Sequence, residues 1–199
     1  MKPEESPYIC WVDLECSGNR DTDHILEVGA VLTDREMNEV DSISLTVRMQ
    51  PHWVEQMEPI VLAMHTVNGL IADSWESRLS IEDVDFQMQK WIKQYTSGDH
   101  IPLAGSGVSH FDRFYIKKDL PYFNRYLSYW AYDTGVIRRS LKLFGIDASF
   151  ADTTGDKTHR ALDDIRAHIE EMRRYRTMFR QWEGLAVVTG PLDSSGHEI

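Results

Sequence analysis

The hydrophobic pattern changes period about a quarter of the way along the chain, and that change restricts the fold more than any other feature. Before it, three runs read as strands: Tyr8 to Glu15 (YICWVDLE) is apolar and ends in acids, Ile25 to Thr33 (ILEVGAVLT) is rich in β-branched residues, and Ser42 to Val47 (SISLTV) alternates. Polar turns at Asn19 to Asp23 and Asp34 to Asn38 join them into a meander. Helical spacing then takes over. Trp53 to Met64 is expected to form one helix, Val67 to Trp75 a shorter one, and Ser80 to Tyr95 a third. Ser80 with Asp83 reads as the cap of that third helix. Short strands at Ile101 to Ala104 and Tyr129 to Tyr132 alternate with helices through Phe111 to Tyr115, Thr134 to Phe144 and His159 to Phe179. A meander followed by interleaved strands and helices predicts an α/β fold with a mixed central sheet flanked by α-helices. Ligands of such sheets sit at the carboxyl ends of strands. Asp13, Glu15 and the turn from Gly105 to Asp112 occupy those ends.

With 199 residues the chain can bury a core without staples. Cys10 and Cys16 are its two cysteines, which excludes a disulfide framework and fits a reducing compartment. Met1 to Pro7 lacks the pattern of a secretory leader, and no apolar run is long enough to span a bilayer. The expectation is a cytoplasmic protein with no membrane partner: one domain over residues 1–183, then a flexible tail over 184–199 containing Gly190-Pro191 and Ser194-Ser195-Gly196. The 21 basic and 32 acidic residues leave a formal charge of −11, which argues against coating long nucleic acid. Net charge does not say where the acids sit. A few converging in a cleft mark a cation.

Three constellations carry chemistry. Asp13 and Glu15 are two apart on a strand, so both point to one face, and paired hard oxygen donors suit Mg2+ or Mn2+; a solvated strand end is the plainer alternative. Gly105 to Phe114 (GSGVSHFDRF) sets Asp112 in the first turn of a helix after a glycine turn, or is simply a helix start. His159 and Asp164 are five apart at the head of the last helix, about 140° round its axis, so His159 can swing over a site that Asp164 faces. Acids there also favour the helix dipole.

In this order the three resemble the DEDD exonuclease superfamily in its histidine subtype, and within it the oligoribonucleases. The segments that carry the resemblance are WVDLECSG at Trp11 to Gly18, HTVNGL at His65 to Leu70, FDRF at Phe111 to Phe114 and HRALDDIRAHIEEMRRYR at His159 to Arg176, within roughly residues 8 to 180. The resemblance implies a ribonuclease H-like fold and two divalent cations, Mg2+ or Mn2+, held by Asp13, Glu15, Asp112 and Asp164. His159 is then the general base, a role suited to a group titrating near neutrality. It further implies stepwise release of nucleoside 5′-monophosphates from 3′ ends of single-stranded RNA or DNA, short RNA above all, and a homodimer. The backbone of Cys16, Ser17 and Gly18, with His65 and Tyr129, is expected to meet the substrate. A DNA proofreading or repair exonuclease carries the same five residues. A non-catalytic binding module of this fold would be expected to have lost at least one.

The chain departs from the oligoribonuclease pattern at several positions. Asn19 stands where the family has a leucine wedge, and Trp130 and Gly135 where it has the arginine and serine that cap the 5′ phosphate of a very short substrate. The small polar residue of the glycine turn is replaced by Val108 or displaced to Ser106 or Ser109. These departures imply a more open site, able to trim longer strands. Arg113, Lys117, Lys118, Lys157 and Arg160 flank the motifs and are candidates for guiding phosphates.

Overall fold

The computed structural model describes residues 6–96, 100–151, 153 and 158–189, with side chains to residue 182. Strands β1 (Tyr8–Cys16), β2 (Ile25–Asp34) and β3 (Glu39–Thr46) form the antiparallel meander. Helices α1 (Pro51–Gln56), α2 (Pro59–Val67), α3 (Leu70–Glu76) and α4 (Ile81–Ile92) follow. Strand β4 (Ile101–Gly105) leads through a turn to α5 (Phe111–Asp119) and the short α6 (Pro121–Asn124). Strand β5 (Leu127–Asp133) then runs into α7 (Thr134–Leu143), and α8 (Ala161–Thr189) completes the described chain. The sheet order is β3-β2-β1-β4-β5, with β4 and β5 joined in parallel, so the sheet is mixed.

Central β1 is covered on both faces, which is why it reads as a nearly continuous apolar run. Its Cys10, Val12, Leu14 and Cys16 pack against Val84, Met88 and Ile92 of α4 and Tyr115 and Ile116 of α5. Its Ile9 and Trp11 face the other way, onto Ile165 and Ile169 of α8. Each such side chain taken from water contributes roughly 1.5–3 kcal/mol. The period of two then carries Asp13 and Glu15 onto the α8 side, at the carboxyl end of the strand.

Several boundaries differ from expectation, among them the helix expected from Val67, which starts at Leu70 because Val67 closes α2. The helix expected over Trp53 to Met64 is two helices, because Pro59 holds the preceding Glu58 extended and opens α2 at its first position. The last helix begins at Ala161 rather than His159, whose φ of 53° is left-handed and cannot continue a helix. That helix runs on to Thr189, into the segment expected as a flexible tail; the remainder of that segment, residues 190–199, lies outside the described residues. The capping signal at Ser80 and Asp83 forms as a reciprocal box. Among the described residues, no helix is long and apolar enough to cross a membrane.

Candidate active site

Glu15 and Asp164 are both buried and His159 is half-buried, and one ligand atom from each lies within 4.8 Å of the other two. The convergence depends on how closely the head of α8 approaches the sheet. In the β1–β2 register Asp13 pairs with Gly29 and Glu15 with Glu27. A Cβ at Gly29 would stand 2.6 Å from Cβ of Ala161 and 3.0 Å from its carbonyl carbon, so only glycine admits the helix here. Glu27 opposes Glu15 directly, an arrangement that repels. Arg160 relieves it: Nε and Nη2 donate to the two Glu27 oxygens at 3.2 and 3.1 Å, and the Ala161 N–H adds a bond of 3.0 Å. Neither Gly29 nor Glu27 carries a motif, and sequence reading missed both.

Asp112 arrives from the opposite side. The paired register of β1 with β4 ends at Trp11 and Ala104, so a different acceptor must take the N–H of Leu14. Asp112 Oδ1 takes it, at 3.0 Å. The turn that aims α5 is held by Asp133 at the end of β5, whose carboxylate accepts from Gly107 N at 3.0 Å, Ser109 N at 3.4 Å and, as the cap of α7, Val136 N at 3.1 Å. Asp133 too was not legible as a site residue. Burial first, then the nearby charges of Asp112, Glu15, Asp13 and Asp119, push the Cys16 thiol well above its ordinary pKa.

Buried carboxylates gathered this tightly are costly until a cation joins them. Hard carboxylate oxygens are the donors that Mg2+ or Mn2+ accepts, and the imidazole stands beside them. The side chains therefore fit divalent ions.

A cleft of about 360 Å³ opens beside the cluster, lined by Glu15, Cys16, Gly18, His65, Ile60, Met64 and Phe111 among others. His65 is fully buried. Its Nε2 lies 3.0 Å from the Cys16 carbonyl oxygen and 3.9 Å from Glu15 Oε2. Burial holds its pKa below the usual histidine range against the opposing effect of the Cys16 bond, and its ring N–H donates to that carbonyl. The Ser17 hydroxyl faces inward, accepting from His24 N and donating to Asp23, and leaves only backbone for a ligand. Tyr129 lies elsewhere. It is 84% exposed on edge strand β5, in a separate groove with His100, Lys117 and Trp130, and does not line this cleft.

Most of the candidate phosphate guides are structural. Arg113 is buried and bonds Asn124 and the Ser128 carbonyl. Lys118 donates to the Asp21 and Asp23 carbonyls. Arg160 bridges Glu27 and Asp73. Lys117 remains exposed, and Lys157 lies outside the described residues.

The exonuclease family named RNase T matches residues 10–172. A probable oligoribonuclease of Dictyostelium discoideum is 33% identical over 181 residues, spanning 89% of this chain and 93% of that one. The oligoribonuclease of Nocardia farcinica is 30% identical over 171 residues, 84% of this chain and 79% of the relative. Among solved structures, E. coli exonuclease I in complex with a dA16 oligonucleotide superposes with a TM-score of 0.65 at 12% identity, over 85% of this chain. It shares the fold, and this chain spans 41% of its length. With the family matched along most of its length and the same α/β architecture around converging acids, the chain belongs to the RNase T exonuclease family, beside the oligoribonucleases.

Proposed function

We propose that the chain is a metal-dependent 3′–5′ exonuclease that removes nucleoside 5′-monophosphates from single-stranded nucleic acid, with short RNA its main substrate. The observation that carries this reading is the convergence of Glu15, Asp164 and His159 at the end of β1, beside Asp13 and Asp112, in a chain of this family. Asp13, Glu15, Asp112 and Asp164 would hold two divalent cations, Mg2+ or Mn2+, which when bound offset the charge of the scissile phosphate and favour ionisation of the attacking water. His159 accepts that water's proton at the ring nitrogen that faces Glu15 and Asp164. The water oxygen bonds to phosphorus, the bond to the 3′-oxygen breaks, and that oxygen takes a proton from solvent and leaves as a hydroxyl.

The cleft beside the cluster receives the terminal nucleotide. Phe111, 37% exposed, and Ile60 offer apolar surface to a base, while the backbone at Cys16 to Gly18 approaches the sugar. His65 holds the strand end that carries Glu15. Asn19, exposed in the same cleft, provides no apolar wedge against a second base, which supports a site open to longer strands. Tyr129 and Trp130 project from β5 as an exposed aromatic pair and are the surface for a homodimer. The two free cysteines are buried thiols, consistent with a cytoplasmic setting.

A length ladder of 5′-labelled RNA and DNA, incubated with Mn2+ or Mg2+, tests the reading. Single-nucleotide shortening of strands longer than two residues is expected, faster on RNA. Activity confined to dinucleotides refutes the open site, and faster DNA trimming favours the repair-type alternative. Sedimentation of the wild type and of Trp130→Ala tests the dimer.

A further inference from the structure

The general base proposed above sits on a segment that its own helix does not hold. His159 precedes α8 and has the left-handed φ of 53°, uncommon outside glycine, so its placement must be imposed by neighbours. Those neighbours lie at the corner between α2 and α3. Asn68 Nδ2 donates to the carbonyl oxygens of His159 and Thr158, at 2.5 and 3.4 Å. Its Oδ1 accepts the N–H of Leu70 at 3.0 Å, which fixes which way the amide faces. Arg160 answers from the other side. Its Nη1 reaches the Asn68 carbonyl oxygen at 3.4 Å and Asp73 at 2.8 Å, while Glu27 holds the rest of the guanidinium. The Thr158 N–H in turn donates to Asp164 Oδ1 at 3.3 Å.

We propose that Asn68 and Arg160 form a two-way clasp that positions His159. Neither touches the reacting atoms; they are positioning residues. Each side chain grips the other segment's backbone, so the α2–α3 corner and the His159 segment move as one piece. The same α2 carries His65, whose ring bonds the end of β1. The corner thus ties the strand that bears Glu15 to the segment that bears the base. This rests on the exonuclease reading for its kinetic consequence, but the clasp itself is a property of the protein without metal.

The test separates clasping from capping. Asn68→Asp keeps the acceptor for Leu70 N–H and the shape of the side chain, but turns an acceptor toward two carbonyl oxygens; Asn68→Ala loses both functions. In both variants kcat is expected to fall about ten- to a hundredfold with KM within about twofold, the effect of a misplaced base. Titration calorimetry should find Mn2+ still bound by both. Hydrogen exchange on metal-free protein should show the amides of residues 158–161 exchanging faster in both variants, with the amides of β1 unchanged. Wild-type kcat in Asn68→Asp, or unchanged exchange at residues 158–161 in Asn68→Asp, overturns the clasp. If the wild type hydrolyses no RNA, the exonuclease reading fails, and the exchange comparison still decides the clasp.

Discussion

Gly29→Ala puts the geometry of the candidate site under the most direct strain. The new Cβ would stand 2.6 Å from Ala161 Cβ, 3.0 Å from the Ala161 carbonyl carbon and 3.2 Å from Ile165 Cδ1. Carbon atoms settle at about 3.5–4.0 Å, so the head of α8 must lift by about 1 Å. The first two obstacles are a methyl fixed to the helix and the helix backbone itself, so no rotamer change relieves them. Overpacking of this kind costs about 1–3 kcal/mol, which for a chain of this size lowers Tm by about 2–12 °C. Asp164 lies one turn further along the same helix and moves with it, away from Glu15. Mn2+ affinity measured by calorimetry should drop, and hydrolysis should fall about a hundredfold. Adding Ala161→Gly removes the closest obstacle and should restore much of the metal affinity. A Gly29→Ala protein with the wild-type Tm and Mn2+ affinity would refute the claim that this contact sets the site.

Three further outcomes are expected. Asp112→Asn keeps an acceptor for Leu14 N–H, so the fold and Tm should hold while hydrolysis falls at least about a hundredfold, as read from product release. His159→Ala should lower turnover by about 10² to 10⁴ while sparing Mn2+ binding; lost affinity in calorimetry would make His159 a ligand instead of the base. Asp41 joins β3 to α4, and the Tyr95 hydroxyl, with a smaller share from Trp91 against the opposing effect of burial, holds its carboxyl below the usual range. A depressed folded-state pKa adds stability above the unfolded value near about 3.9 and loses it as pH falls through the folded value. Urea midpoints of Asp41→Asn should therefore fall less than those of the wild type between about pH 5 and pH 2.

The meander and the capping box were legible because each is written in neighbouring residues. Ser80 and Asp83 announce a cap at close range, and Asp13 with Glu15 announces a face. The arrangement around them was not legible, because its partners are far apart in the chain. Glu27 meets Arg160 across 133 positions, and Asn68 meets His159 across 91. Gly29 looks like an interruption in an apolar strand until α8 is laid across it. Arg160, read as a free cation beside a histidine, is committed to Glu27 and Asp73, and nothing local could have said so. Pro59 is a local signal: it divides an amphipathic stretch that periodicity alone joins. Tyr129 matched a family position, yet in this chain it stands on the sheet edge, away from the cleft.

The central claim is that a strand-end cluster of acids and one histidine hydrolyses nucleic acid from its 3′ end. It is tested most directly by following 5′-labelled single-stranded RNA with Mn2+, with chelator, and with Asp112→Asn in place of the wild type. The account predicts a ladder shortening one nucleotide at a time with release of nucleoside 5′-monophosphates, abolished by chelator and by Asp112→Asn. Internal cuts, 3′-monophosphate products, or an unchanged ladder from Asp112→Asn would contradict it.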